Sequence, residues 1–239
     1  MRKALWTALL VCCTSVLFAQ QNVPLKKKDR KRDVELVTSK GTIILRLSNE
    51  TPLHRDNFLR LVKSGYYDGL LFHRVIRNFM IQAGDPDSRN AKKGQALGNG
   101  GPKYTIPAEF RPGLFHKKGV LAAARLGDGQ NPQKASSGSQ FYIVQGRRFT
   151  DKSLDSVETY RLKRKLPAAH RNVYKTLGGT PHLDQNYTVF GEVVEGLNVV
   201  DRIAEEATSR TPPDRPVQDV RIIKAHLVKR KGTGFLGLF

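Results

Sequence analysis

The sequence FHRVIRNFMIQAGD, residues 72–85, is the stretch that carries most information about this chain. Strand-forming aromatic and β-branched residues dominate it, and a Gly-Asp pair ends it with a turn signal. Alternate side chains of a strand share a face. We therefore expect Phe72, Arg74 and Ile76 to point one way, and His73 and Val75 the other.

A kink is predicted at Arg77-Asn78, after which a second alternation puts Met80 and Gln82 on one face. The strand would then offer a cation, an amide and an apolar floor near one surface. The alternative is a buried strand whose arginine extends its charged end to solvent.

Three further blocks follow in order: Gly119–Ala124, Ser137–Val144, and Leu183-Asp184 with Val189–Gly191. Together with the first block they resemble the cyclophilin family of peptidyl-prolyl cis-trans isomerases, over most of Val34–Val228. The resemblance implies a mainly β fold, a closed eight-stranded antiparallel β-barrel capped by two α-helices. It also implies prolyl isomerisation of polypeptides without a cofactor or a metal.

The site residues are likewise implied by the resemblance. Arg74 matches the family's catalytic arginine, and Gln82 and Gln140 match groove residues that assist it at the substrate backbone. The substrate-binding positions are Phe79, Met80, Ala124, Arg125, Tyr142, His182, Leu183 and Tyr187, of which Phe79, Met80, Tyr142 and Leu183 would form the proline pocket. From its own sequence, Gln140 could equally make an internal hydrogen bond, because it opens an apolar run and needs a partner.

Four positions depart from the family pattern. Arg125 stands where many members have Asn, Tyr142 where Phe is usual, and Tyr187 where many have His. His182 replaces a Trp that contacts the inhibitor cyclosporin in many eukaryotic members. We therefore expect weak cyclosporin binding and retained catalysis.

The N-terminal segment is typical of export. Arg2 and Lys3 precede an apolar run that is short for a bilayer span, and cleavage after Ala19 would define a signal peptide over residues 1–19. An uncleaved membrane anchor and a lipid on Cys12 or Cys13 are the alternatives. We expect a periplasmic or cell-envelope location, possible tethering to the membrane, and no cysteine in a mature chain cut after Ala19.

The chain is strongly basic, with 41 Lys+Arg against 21 Asp+Glu, a formal charge of +20. Residues 20–33 are predicted to be a flexible basic leader and residues 229–239 a basic and apolar tail, in which a frayed end is favoured over a docking segment. Such charge favours acidic surfaces. Export favours an anionic envelope surface over nucleic acid, and a monomer is expected.

Between these ends, residues 34–228 form the predicted isomerase domain. A hairpin (Val34–Thr38 and Thr42–Leu47) is followed by a helix with Thr51 as N-cap, a buried stripe of Phe58, Leu61 and Val62, and Gly65 at its end. One or two surface helices are expected in an insertion at 151–179, broken by Pro167. A last strand is predicted at Val220–Val228.

Other classes of site have little support. The glycine-rich loop after residue 85 lacks the Gly-Lys-Ser/Thr ending of a phosphate-binding loop, and the six histidines show no metal-ligand spacing. Two functions compete with catalysis: a groove that holds Pro peptides without turnover, and a charged adhesion protein of the cell surface. Arg74, Phe79 and Gln140 favour the enzyme.

Overall fold

The computed structural model describes residues 23–230, so the predictions for the signal peptide and for most of the tail lie outside the described residues. The helices and strands, in chain order, are β1 Arg32–Thr38, β2 Gly41–Leu47, α1 Pro52–Lys63, β3 Arg74–Ile76, β4 Met80–Ala83, β5 Thr105–Ile106, β6 Val120–Ala123, β7 Ser136–Ser137, β8 Phe141–Val144, α2 Asp151–Ser156, α3 Ala168–Thr176, β9 Val189–Glu195, α4 Leu197–Ala204, β10 Thr208–Arg210, β11 Pro213–Pro216 and β12 Ile222–Lys229. A π-helical turn, Val157–Leu162, continues α2.

Eight strands form one antiparallel sheet in the order β12-β1-β2-β9-β6-β8-β4-β3. The mainly β prediction is confirmed, but the sheet is open, and a closed barrel is not confirmed because the outer strands β12 and β3 do not pair. The residues before β3 approach the start of β12: the Gly69 and Phe72 amides donate to the Ile222 and Val220 carbonyls. Backbone contact between the two edges is limited to this short stretch and does not continue along β3.

The main core lies between the inner face of the sheet and the helices α1 and α4. In β1, Val34 and Leu36 are fully buried while Glu35 between them is partly exposed, as the two-residue period requires. The predicted stripe of α1 is confirmed, since Phe58, Leu61 and Val62 are all buried in this core.

Helix α1 begins after Thr51 as predicted, but the source of its capping hydrogen bonds was not predicted. Thr51 occupies the N-cap position, but its side chain makes no capping hydrogen bond and its buried Oγ1 has no partner. The carboxylate of Glu109 takes that role, accepting from the Leu53 amide at 3.2 Å and the His54 amide at 3.0 Å. The predicted N-cap position is therefore confirmed, but the capping hydrogen bonds come from a distant acidic side chain and not from Thr51. The helix ends at Lys63, and Gly65 follows the C-cap Ser64 with φ of 70°, as expected of a terminating glycine.

The stretch at residues 72–85 is a hairpin, not one kinked strand. β3 and β4 pair in the register Arg74↔Gln82, Val75↔Ile81 and Ile76↔Met80. The predicted kink at Arg77-Asn78 is the turn of this hairpin, and Asn78 there has φ of 62°. Because the chain reverses there, Arg74 and Ile76 of β3 lie beside Gln82 and Met80 of β4.

The basic leader also differs from its prediction over residues 26–33. The Asp29 carboxylate accepts from Lys63 Nζ at 2.8 Å, and Arg30 forms an ion pair with Asp56, so this part of the segment is fixed to α1. β1 begins at Arg32 because Arg32 pairs with Lys229 of the last strand.

The insertion at 151–179 folds as predicted into surface helices, α2 and α3, with Pro167 between them. Leu154, Leu166 and Tyr174 form a small buried cluster of their own. Among the described residues, no helix combines the length and the apolar character needed to cross a membrane.

Candidate functional site

Arg74 and Gln82 lie opposite each other on the β3–β4 hairpin. Cross-strand partners share a face, as do residues two apart, so Arg74, Ile76, Met80 and Gln82 all lie on one face of the hairpin. The Arg74 side chain is 46% exposed, and its Nε donates to Asp214 Oδ2 at 3.2 Å. The guanidinium is therefore accessible to a ligand from solvent.

An apolar cluster, which contains the predicted proline pocket, adjoins this arginine on the same face. Met80, Tyr142, Val120, Ala122, Val144 and Val189 are its buried members, and Ile76, Phe79, Leu114, Ala124, Leu183 and Tyr187 pack against them. All four residues predicted to form the proline pocket belong to this one cluster. Phe79 and Leu183 are only partly buried, which leaves apolar surface available to a ligand.

The two predicted groove glutamines are joined directly. Gln82 Nε2 donates to Gln140 Oε1 at 3.0 Å, and Gln140 Nε2 donates to the carbonyls of Gly98 and Gly100 at 2.9 and 2.7 Å. The internal hydrogen-bond alternative therefore describes Gln140 in this structure. This pair of glutamines links the hairpin to the glycine-rich loop through hydrogen bonds, a contact that the pairing of the strands does not provide.

A series of buried hydrogen bonds lies beneath the predicted pocket, and it was not predicted from the sequence. Tyr142 Oη lies 3.0 Å from His116 Nε2, and His116 Nδ1 lies 3.0 Å from Asp184 Oδ1. Tyr174 of the insertion donates its hydroxyl to both oxygens of Asp184, at 2.9 and 2.8 Å. Burial raises the pKa of Tyr142 well above its usual value, so the hydroxyl is neutral at physiological pH. The inserted helix α3 is thus hydrogen-bonded through Asp184 and His116 to the pocket floor.

His182 lies against Phe79 of the apolar cluster. Its ring stacks on Phe79 with centroids 5.6 Å apart, and burial, reinforced by the nearby positive charge of Arg161, lowers its pKa to about 4. The ring is therefore neutral at pH 7 and presents an aromatic face.

Beside Tyr142 of the cluster, Arg125 lies over the Tyr187 ring, 4.4 Å from its centroid, and Tyr187 meets Tyr142 edge-on at 6.0 Å. Arg125 Nε also donates to the Asn186 carbonyl at 2.8 Å. The two departures from the family pattern at Arg125 and Tyr187 therefore contact each other, and the cation–π contact holds the Tyr187 ring against the pocket.

A cavity of about 240 Å³ opens beside Arg74. It is lined by His73, Arg74, Gln82, Leu97, Gly98, Asn99, Pro212, Pro213 and Arg215. Burial lowers the pKa of His73 to about 4, so the cavity's positive charge comes from its two arginines. Within residues 23–230, no group of acidic, histidine or cysteine side chains is arranged to hold a metal ion.

Comparisons with known proteins point to one family. The family model described as "Cyclophilin type peptidyl-prolyl cis-trans isomerase/CLD" matches residues 33–227. A protein of Staphylococcus aureus (strain USA300) named "Putative peptidyl-prolyl cis-trans isomerase" is 35% identical over 201 residues, covering 83% of this chain and 93% of the relative. One of the same name from Staphylococcus haemolyticus is 34% identical over 196 residues, covering 82% and 90%.

Solved structures show the same fold. The crystal structure of a cyclophilin type isomerase from Cryptosporidium parvum matches with a TM-score of 0.61 and 22% identity, over 84% of this chain and 99% of that one. A second structure from that organism, solved in the presence of the dipeptide Ala-Pro, matches with a TM-score of 0.60, 22% identity and coverage of 83% and 99%. At 22% identity, the similarity supports the fold alone.

Proposed function

Since the chain belongs to the cyclophilin-type peptidyl-prolyl cis-trans isomerase family, and is an isomerase of that type, we propose that Arg74 drives its reaction on proline-containing exported polypeptides. One observation carries this proposal: the exposed guanidinium of Arg74 lies on the same face of the β3–β4 hairpin as Met80 of the apolar pocket.

The chemistry needs no covalent step. Resonance stiffens the peptide bond, and an X-Pro bond rotates unaided about once in 10–100 s at 25 °C. In the twisted transition state the prolyl nitrogen has lost conjugation and regains a lone pair. A fixed donor beside that nitrogen binds the twisted state better than either planar state, which lowers the barrier.

The described residues fit the parts of such a reaction. The guanidinium of Arg74 stays charged and offers several N–H donors, of which only Nε–H is bonded to another side chain within residues 23–230. The cluster of Phe79, Met80, Tyr142 and Leu183 would hold the prolyl ring away from water. The carbonyl before the proline would then swing while the ring stays still.

The test is isomerisation of an Ala-Pro peptide by wild type, Arg74→Ala and Arg77→Ala. Arg77 is an exposed arginine at the turn of the same hairpin, so its variant controls for the loss of one charge. We expect Arg74→Ala to lower kcat/KM about 100-fold or more, and Arg77→Ala to stay within about threefold. Equal rates for wild type and Arg74→Ala, both at the uncatalysed level, would favour the groove that binds Pro peptides without turnover.

The export proposal has its own support in the sequence, namely the charged and apolar pattern of residues 1–19. We propose that the mature chain begins at Gln20 and acts in the periplasm or cell envelope, where its charge brings it to anionic surfaces. The mass of the protein recovered from the envelope fraction tests this: a chain retaining residues 1–19, or carrying lipid on cysteine, contradicts cleavage after Ala19.

The role of charge is separable from catalysis. Replacing the exposed Lys26, Lys27 and Lys28 by Gln and removing residues 231–239 should weaken association with anionic vesicles, because four lysine charges are lost, while the rate on the Ala-Pro peptide is unchanged. Unchanged vesicle binding would place the attraction on the folded domain instead.

A further inference from the structure

The β10–β11 hairpin, residues 208–216, lies against β3 and carries Asp214 to the guanidinium of Arg74. Asp214 Oδ2 accepts from Arg74 Nε at 3.2 Å, with the side chains 36% and 46% exposed. The two residues are 140 positions apart in the chain, so the contact is made by the tertiary fold.

The residue next to Asp214 anchors the hairpin. Arg215 is buried, its Nη1 donates to the Lys92 and Gln95 carbonyls at 3.0 and 2.8 Å, and its Nη2 pairs with Asp219 at 3.0 Å. Because Arg215 fixes the hairpin to the glycine-rich loop, the backbone at Asp214 is held in place beside Arg74. An exposed ion pair without such support would have little effect on the geometry of its partners.

We propose that Asp214 is a positioning residue, which holds the Arg74 guanidinium in the orientation that the isomerisation needs. Arginine has a long, flexible stem, and a bond to Nε leaves the four N–H donors of the two terminal nitrogens free to face a substrate. Within residues 23–230, Asp214 is the one side chain that hydrogen-bonds to Arg74. This inference rests on the proposed function of Arg74 and adds the group that orients it.

Two substitutions at this position separate orientation from charge. Asp214 has φ of 63°, a conformation that glycine and asparagine adopt readily, so Asp214→Gly and Asp214→Asn leave the backbone unstrained. Asp214→Gly removes the acceptor, and we expect kcat to fall about tenfold with KM within about twofold, since a misplaced group loses rate more than binding. Asp214→Asn keeps an oxygen that can accept from Nε, and kcat should recover to within about threefold of wild type.

The matched control is Arg210→Gly, which adds a glycine at an exposed position of the same hairpin. It should leave kcat and KM unchanged. If Arg210→Gly lowers kcat as much as Asp214→Gly does, the effect is one of hairpin flexibility and the inference is overturned.

A double variant and an NMR measurement test the inference without relying on the rate of one variant alone. Asp214→Gly should have no further effect on the rate in an Arg74→Ala background, because both changes act through one guanidinium. In NMR spectra, the Arg74 Nε–H signal should be protected from exchange in wild type and in Asp214→Asn, and lost in Asp214→Gly. Equal protection in all three would overturn the inference even if every protein is active. An inactive wild type with a protected Nε–H would instead refute the proposed function and leave the orientation standing.

Discussion

Tyr142 Oη and His116 Nε2 lie 3.0 Å apart beneath the apolar pocket, so a buried polar contact supports the surface that would hold a prolyl ring. An apolar pocket needs a floor that does not shift when a ligand leaves. Here the Tyr142 ring packs with the pocket residues while its hydroxyl is fixed from below.

Tyr142→Phe should separate these two roles. The ring is kept, so kcat/KM should stay within about threefold of wild type. The His116 nitrogen loses its hydroxyl partner while fully buried, and the free energy of unfolding should fall by about 1–3 kcal/mol. Chemical denaturation measures this. Tyr160→Phe is the control, because that hydroxyl is on a 73% exposed side chain and its loss should change stability by less than about 0.5 kcal/mol. A Tyr142→Phe protein as stable as wild type would contradict the assigned contact.

Replacing Glu109 should lower the stability of the protein, although this residue lies in a loop. Its carboxylate accepts from the first amides of α1 and lies 2.7 Å from His54 Nδ1. Glu109→Gln removes the negative charge at the helix N-terminus and should lower the free energy of unfolding by about 0.5–2 kcal/mol, the range of a lost N-cap. Thermal unfolding of this variant beside Glu50→Gln, an exposed acid near the same helix start, gives the comparison. Equal midpoints for the two variants would show that α1 does not depend on Glu109.

Stability should decline in mild acid. The folded state holds the pKa of His182 at about 4, below the ordinary value of about 6.5, so the unfolded chain binds the proton first as the pH falls. This contribution is fully present above about pH 6.5 and is lost as the pH falls toward 4. His73, whose pKa is also about 4, acts in the same direction.

Denaturation at about pH 7.5 and about pH 5 tests that window. The loss of stability between the two should be smaller for His182→Asn than for wild type, because asparagine does not titrate. An equal loss in both proteins would mean that His182 keeps an ordinary pKa in the folded state.

Cyclosporin should bind weakly, as the resemblance to the family implies. His182 takes the place of a larger Trp and lacks part of its apolar area and its indole donor, although it stacks on Phe79. We expect a Kd above about 1 μM for wild type and at least about tenfold tighter binding by His182→Trp. Inhibition of the Ala-Pro reaction measures both. Nanomolar inhibition of the wild type would contradict the prediction.

The mainly β class could be predicted from the sequence. Phe79, Met80, Tyr142 and Leu183, which were predicted to act together, belong to short ordered blocks and lie in one apolar cluster. The alternation on each side of Arg77 was also visible, although the reversal between the two strands was not. A two-residue period has no direction, so one kinked strand and a hairpin look alike until the partner strand is known.

What could not be predicted depends on contacts between distant segments. Glu109 caps a helix that begins more than fifty residues earlier, and Asp214 meets Arg74 from the other end of the domain. His116 had no local signal, since a lone histidine beside two lysines is typical of a surface loop. Each of these residues acquires its role only when the sheet brings the segments together.

The attachment of the insertion limits how far this enzyme could be shortened. Where residues 151–179 leave and rejoin the domain, Gly146 and Gly179 pass so closely that a Cβ on Gly146 would lie 2.4 Å from the Gly179 Cα. Excising the segment would also strip Asp184 of the Tyr174 hydroxyl and expose a carboxylate that is now buried. A shortened version of the enzyme would need a new donor for Asp184, because Tyr174 of the added helices supports Tyr142 through Asp184 and His116.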